Sequence, residues 1–192
     1  TETTSILTRC LSADLADRPD SVGKPLEGVR MRVAANGQEA ERGSEGELEI
    51  GLEHIVSGYL DLPRKLKERM NGDWFRTGDL AVMDEEGYIF LKGRSNDLII
   101  VGGENVYASE VESVLSAHPD VRDCAVVGTP NKIFGEVVKA FVVPKSLESV
   151  KTLDIKKFCF QRLPSYKVPL EIEFLTEIPR SPSGKVLKGQ LK

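Results

Sequence analysis

With 192 residues, 40% of them hydrophobic and 29% charged, the chain is long enough for one medium domain or two small ones with ordinary solvated surfaces. A formal charge of −4, from 26 basic and 30 acidic residues, lacks the basic excess of a dedicated nucleic-acid binder. Cys10, Cys124 and Cys159 are too few and too scattered for a disulfide framework or a zinc site, and no apolar run approaches the roughly 20 residues of a membrane helix, so a reduced, cytoplasmic protein without a transmembrane segment is expected.

The chain opens on Thr1-Glu2-Thr3-Thr4 with no Met, signal peptide or charged leader, which suggests a piece of a longer protein. The alternation of Val29, Met31 and Val33, a turn signal at Asn36-Gly37, and the pair Leu48 and Ile50 predict strands exposed on one face. After Asp61 the stripe Leu62, Leu66 and Met70, with Pro63 near its first turn, predicts a short helix that Asn71-Gly72 ends. Residues 74–79 are expected to form a loop, and residues 80–83 and 88–91 a hairpin around Asp84-Glu85-Glu86-Gly87.

Beyond Gly93 strands alternate with helices, which sets a boundary near Arg94 and gives an α+β unit. Ser109 and Glu112 stand at capping-box spacing ahead of Val111, Val114 and Leu115, and His118-Pro119 stops that helix. Residues 121–127, 137–143 and 171–175 read as strands, and 153–162 as a helix capped by Thr152. Charge follows the same division: residues 1–93 carry 12 basic and 18 acidic side chains, and residues 94–192 carry 14 and 12. His54 and His118, the only histidines, have no second ligand at metal spacing and read as surface or internally satisfied residues.

No GxGxxG occurs, and Gly184-Lys185 is followed by Val186, with Pro179 where a phosphate loop needs its first glycine. Any nucleotide chemistry must rest on other segments. Gly46-Glu47-Leu48-Glu49-Ile50, running on to Ser57-Gly58-Tyr59, is by itself a strand with glycine turns. In Trp74-Phe75-Arg76-Thr77-Gly78-Asp79, Gly78 permits a tight backbone and presents a carboxylate able to accept from both hydroxyls of a ribose, although an Asp after Gly equally marks a turn. In the segment from Gly93 and Arg94 through Gly102-Gly103 to Glu112, Arg94 offers a planar fork for ribose or phosphate oxygens, and the two glycines allow close approach to the backbone. A surface ion pair followed by a buried strand fits the same residues. Ile178-Pro179-Arg180-Ser181-Pro182-Ser183-Gly184-Lys185 is a loop stiffened by two prolines that presents one lysine, whose ammonium could neutralise charge developing on a phosphate or held by a carboxylate substrate, although a lone loop lysine is more often a solvated surface residue.

Taken in this order, the four segments resemble the adenylate-forming superfamily of acyl-CoA synthetases, peptide-synthetase adenylation domains and beetle luciferases. The likeness covers nearly the whole chain, with Thr1-Glu2 similar to the end of the superfamily's Tyr-Gly-x-Thr-Glu motif. It implies an α+β fold in two pieces: residues 1–93, the last β-rich subdomain of a large nucleotide-binding domain, and residues 94–192, a small mobile lid. Thr1 would then contact the nucleotide phosphate, Glu2 would hold magnesium, Asp79 would bind the ribose hydroxyls and Arg94 the nucleotide. Lys185 would be the catalytic lysine of adenylation, Asn96 the hinge, and Gly102 and Gly103 the face shown to pantetheine. The superfamily's hinge is commonly Asp or Lys, so Asn96 departs from the pattern. The implied reaction joins a carboxylic acid to AMP from ATP, then transfers the acyl group to a thiol. Residues 100–107 are more similar to CoA ligases than to peptide-synthetase domains, which favours CoA over a carrier-protein phosphopantetheine, the alternative acceptor. Fatty, aryl and succinylbenzoate-type acids all fit. The superfamily's phosphate loop and acyl pocket lie upstream of the Thr-Glu motif, so this chain alone is expected to bind nucleotide or CoA without turning over.

Overall fold

The structure, a computed structural model, describes the chain except for residues Thr1, Thr4, Leu52, His54, Asp61, Leu62, 147–149 and Lys192. The expectations for Thr1, His54 and Leu62 therefore lie outside the described residues. The chain forms two compact units, Thr1–Asn96 and Asp97–Lys192. Among the described residues no helix is long and apolar enough to cross a membrane.

The first unit is mostly β. A two-stranded ribbon, β1 (Thr8–Arg9) with β2 (Lys24–Pro25), flanks the short helix α1 (Asp14–Asp17). A six-stranded sheet follows from β3 (Met31–Ala35), β4 (Gln38–Glu39), β5 (Glu45–Gly51), β6 (Met70–Asn71), β7 (Trp74–Met83) and β8 (Ile89–Arg94), with α2 (Pro63–Glu68) between β5 and β6. Asn36 and Gly37, at φ 53 and 80, make the two-residue β3–β4 turn that the sequence signals, a geometry that needs positive φ at both positions. Asp84 closes the β7–β8 hairpin by accepting the Glu86 and Tyr88 amides on Oδ1 at 3.0 and 2.8 Å. The core is the inward face of β3, β5, β7 and β8, built on Val33, Leu48, Ala81, Met83 and Ile89.

One expectation is corrected here. Residues 74–79 are not a loop but the first part of the ten-residue β7, antiparallel to β5. The register slips between the Glu47–Leu80 and Glu49–Arg76 pairs, which leaves a bulge at Thr77–Asp79 opposite Leu48. Gly78 takes φ 78, and the bulge is tied down from Thr77 Oγ1 to the Leu48 carbonyl (2.8 Å) and from the Gly78 amide to Glu47 Oε1 (3.0 Å). Glycine and a polar run read as a loop in sequence because the bulge satisfies its backbone through side chains instead of a regular ladder.

A 3₁₀ turn at Ser95–Asp97 leads into the second unit. There β9 (Leu98–Val101), β10 (Glu104–Tyr107), β11 (Val121–Asn131), β12 (Gly135–Pro144) and β13 (Glu171–Phe174) form one sheet, with α3 (Ala108–Ser116) after β10 and α4 (Thr152–Phe160) after β12. β11 and β12 pair antiparallel along ten or more residues, and β13 joins β12 in parallel. Their apolar runs are continuous because both faces are covered. Val126 and Val142 point into a core with Val111, Leu115 and Ile155 of the two helices. The alternate residues Val127, Phe141 and Val143 meet Ile178 and Leu191 of the last segment on the other face.

The helix starts differ from the sequence reading. α3 begins at Ala108 with Tyr107 as its N-cap and no side-chain cap, and α4 begins at Thr152 behind Lys151, also uncapped by a side chain. Glu112 is drawn away from capping: its Oε1 accepts the Val126 amide of β11 at 2.9 Å and the Lys188 ammonium at 2.9 Å. A capping box is a local preference, and here the long-range hydrogen bond to a buried strand takes the carboxylate.

Candidate functional site

In the first unit the bulge sets the geometry of Asp79. Because β7 pairs with β8, Asp79 lies directly across from Arg94, and Arg94 Nε meets Asp79 Oδ1 at 2.9 Å. Arg94 Nη1 also donates to the Thr77 carbonyl at 3.2 Å, and the Asp79 amide donates to Thr77 Oγ1 at 3.0 Å. Burial pushes the Asp79 carboxyl above the ordinary aspartate range, against the lowering pull of the Arg94 guanidinium and the Thr77 hydroxyl. Asp79 is thus a partly desolvated acceptor, held by its backbone and paired with one exposed cation.

Glu2 stands in the same unit. Its Oε1 accepts from the Tyr59 hydroxyl at 2.8 Å and lies 3.4 Å from Arg69 Nη1. The Tyr59 hydroxyl, foremost, and Arg69 hold this carboxyl below the usual glutamate range despite its desolvation. Among the described residues no three His, Cys, Asp or Glu side chains gather as a metal cage. One lowered carboxylate fits magnesium that arrives already coordinated by phosphates, since that ion keeps waters and takes only one or two protein carboxylates.

In the second unit Gly102 and Gly103, at φ 61 and 94, form the two-residue turn of the β9–β10 hairpin. The Gly102 amide donates to the Phe134 carbonyl at 2.8 Å. Beside Gly102 opens a pocket of about 400 Å³, lined by Val101, Phe134, Val137, Tyr166 and Leu170 with Ser165 and Glu104 as polar members. Phe134 and Tyr166 are half exposed at its rim. Asn96 is exposed in the 3₁₀ turn, and the next residue, Asp97, is held by Lys188 Nζ at 3.3 Å.

Lys185 closes a small hairpin. The Gly184 amide donates to the Ser181 carbonyl and the Ser181 amide to the Lys185 carbonyl, both at 2.8 Å, with Gly184 at φ 83: a tight turn that ends in a glycine bulge. The Lys185 amide also donates to Ser181 Oγ at 3.2 Å. Arg180 pins the hairpin to β11: its Nη2 spans both Asp123 oxygens at 2.9 Å while Nη1 donates to the Gly184 carbonyl at 3.0 Å. The Lys185 side chain is exposed, and its ammonium makes no hydrogen bond or ion pair among the described residues.

The structure therefore joins Asp79 with Arg94 and brings Glu2 to Arg69, while Gly102, Gly103 and Lys185 lie in the other unit. Thr1 lies outside the described residues. Arg69, Glu47, Arg180 and the Phe134–Tyr166 pocket rim were not singled out in the sequence. Glu47 and Arg180 stood within quoted segments without a role; Arg69 sits 8 to 67 residues from Thr77 and Glu2, and Glu47 31 from Gly78, and no spacing reveals such contacts.

Residues 110–185 match the family model for the AMP-binding enzyme C-terminal domain. The chain is 40% identical to the 2-succinylbenzoate–CoA ligase of Geobacillus kaustophilus over 172 residues, 90% of this chain and 35% of that protein. It is 39% identical to the fatty acid–[acyl-carrier-protein] ligase ScoC of Streptomyces coeruleorubidus over 90% of this chain and 33% of that one. Its fold is similar to that of the o-succinylbenzoate CoA synthetase of Bacillus subtilis, solved with its acyl-adenylate intermediate, with TM-score 0.92 and 34% identity across 100% of this chain and 39% of that one. The same synthetase solved with ATP and magnesium gives TM-score 0.90 at 33% identity, over 99% of this chain and 39% of that one. The chain thus spans 33 to 39% of the length of these proteins.

Proposed function

Since the chain belongs to the adenylate-forming acyl-CoA synthetases, we propose that it is the part of such an enzyme that grips the nucleotide and then exchanges one catalytic face for another. The carboxylate oxygen of a carboxylic acid attacks the α-phosphorus of ATP and pyrophosphate leaves. The sulfur of CoA then attacks the acyl carbon, its proton is lost, and AMP leaves. The first unit, with Arg94 at the end of β8, supplies the nucleotide grip and the second unit the mobile lid, with Asn96 as the pivot. The expectation of a reduced cytoplasmic setting accords with three free cysteines, two of them buried.

The observation that carries this reading is the cross-strand pair of Asp79 and Arg94 on a side-chain-tied bulge. Asp79 accepts the two ribose hydroxyls, and Arg94, more than half exposed, turns to the nucleotide without leaving the strand. Thr1 would meet the phosphate and Glu2 would hold magnesium, whose charge would offset that of the phosphate oxygens. Lys185, whose ammonium is uncommitted, neutralises the charge that grows on the α-phosphate as pyrophosphate departs. After the lid turns, Gly102 and Gly103 admit the pantetheine arm and the pocket rimmed by Phe134 and Tyr166 takes the rest of CoA, an apolar cleft with few polar groups. A carrier-protein phosphopantetheine is the second reading, favoured by the likeness to a ligase of acyl-carrier protein; thioester formed on a carrier but not on free CoA would replace the first.

Titration tests the nucleotide grip. The ionised form of Asp79 is the one that accepts hydroxyls, and its carboxyl is raised in the folded state. A raised carboxyl favours the folded state at acid pH and loses that contribution as pH rises through its folded value, whereas nucleotide binding runs the other way. AMP affinity, measured calorimetrically, is expected to decline on acidification before an ordinary aspartate would protonate. Asp79→Ala is expected to weaken AMP by about 10- to 100-fold, the worth of hydrogen bonds to a charged group, and to flatten that pH dependence. An unchanged affinity would remove Asp79 from the site.

The turn offers a separate test of the second half-reaction. Gly103→Val places a branched side chain at φ 94, which costs about 1–2 kcal/mol of local strain. Thioester formation from preformed adenylate is expected to fall while adenylate formation stays near the parent rate; equal loss in both would mean that the turn serves only the fold.

A further inference from the structure

Arg69 stands between α2 and β6, outside every segment that carries the family likeness, yet its guanidinium reaches Glu2, Tyr59 and the backbone of the bulge before Asp79. Its place is fixed by the backbone: its amide donates to the Leu66 carbonyl at 3.0 Å, and its carbonyl accepts the Arg76 amide at 2.8 Å. From there the guanidinium lies 4.6 Å over the Phe75 ring and reaches in three directions. Nε donates to the Arg76 carbonyl at 3.1 Å and Nη2 to the Thr77 carbonyl at 2.5 Å. Nη1 approaches Glu2 Oε1 and the Tyr59 hydroxyl, each at 3.4 Å.

The Thr77 carbonyl is the meeting point, because Arg94 Nη1 donates to it as well. Gly78 sits under both cations: a Cβ there would lie 3.5 Å from Arg69 Nη2 and 3.7 Å from Arg94 Nη1. Asp79 follows immediately, and Arg69 also lowers its carboxyl, though less than Arg94 does. We propose that Arg69 is a positioning residue of the nucleotide site, a strut that holds Glu2 and the Thr77–Asp79 bulge at a fixed separation so that magnesium and ribose contacts are made together. The inference rests on the nucleotide reading given above. Arg69 needs no contact with the substrate; it acts through Glu2 and Thr77. A lysine cannot replace it, since a single ammonium on a flexible stem does not bond two carbonyls and a carboxylate from one plane.

The test uses the full-length synthetase with Arg69→Met, Arg69→Lys, Tyr59→Phe and Asp79→Ala. AMP affinity is read by calorimetry without magnesium, the magnesium concentration for half-maximal adenylate formation by pyrophosphate release, and KM for CoA and the melting midpoint alongside. Arg69→Met is expected to weaken AMP about tenfold and to raise the magnesium requirement, with KM for CoA and the midpoint near parent values. Arg69→Lys should not restore either quantity. Tyr59→Phe should raise only the magnesium requirement, because Tyr59 touches Glu2 and not the bulge. If Arg69→Met does not fold, Arg69→Lys decides: parent-like AMP binding and magnesium dependence would overturn the strut. So would AMP affinity within twofold of parent in Arg69→Met while Asp79→Ala weakens it by about 10-fold or more, or a common loss in AMP affinity, KM for CoA and midpoint. AMP binding untouched in Asp79→Ala would instead overturn the nucleotide reading beneath it.

Discussion

Lys185→Ala in the full-length synthetase is expected to slow adenylate formation by about 100- to 1,000-fold, the loss that follows removal of one preorganised charge-stabilising donor. Thioester formation from preformed adenylate should stay within about threefold of the parent rate if, as proposed, the second step uses the Gly102–Gly103 face instead of Lys185. The substitution is clean on structural grounds. The side chain is exposed, and its ammonium binds nothing among the described residues, so truncation leaves no buried partner stranded and should shift stability by no more than about 0.5 kcal/mol. The hairpin keeps its shape because its bonds come from the backbone, from Ser181 and from the Arg180 fork on Asp123. Lys185→Arg should rescue poorly, a planar fork being a different object from a compact ammonium at the end of a short turn. Pyrophosphate release and adenylate consumption, measured separately, check the claim. Parallel losses in both steps would remove Lys185 from its role.

The α+β class was legible because period and length agree: two-residue alternation with Asn-Gly and Asp-Glu-Glu-Gly turns before Gly93, and strands alternating with nine-residue helices after it. The candidate site residues stood out for another reason. Asp79, Arg94, Gly102, Gly103 and Lys185 each lie in a long motif whose order is distinctive, and the glycines among them take positive φ, a need that sequence can announce. What stayed hidden was whatever depends on a partner far away in the chain. The bulge that aims Asp79 needs Glu47 and Leu48, about thirty residues upstream. Glu112 abandoned a plausible capping box for Val126 and Lys188, and Arg69 looks like surface decoration of a short helix until Glu2 and Thr77 are placed beside it. Local pattern carries no term for such contacts, and these are the ones that position a site.

Glu49→Ala shows how far that positioning reaches into the core, and it is expected to destabilise the first unit by about 3–5 kcal/mol. Glu49 is 2% exposed on β5, yet its charge is fully engaged. Oε2 accepts from Arg32 Nε and Nη2 at 2.8 and 2.7 Å, and Oε1 accepts from Asn71 Nδ2 at 2.9 Å. Truncation strands the Arg32 guanidinium, only 14% exposed, against the Trp74 ring 4.4 Å away. The cost comes from that uncompensated charge more than from the lost bonds, so Arg32→Met combined with Glu49→Leu should recover most of the stability. Trp74 is the single tryptophan of the chain and lies at this contact, so its fluorescence in a denaturant titration reports the transition of the first unit directly. A cost below about 1 kcal/mol would mean that the pair is solvated like a surface ion pair. The loss should also reach the nucleotide: Glu47, two residues earlier on the same strand, holds the Gly78 amide, and Leu48 between them holds Thr77. A loosened β5 therefore frees the bulge, and AMP affinity in Glu49→Ala should fall together with the Trp74 transition, while the double substitution restores both.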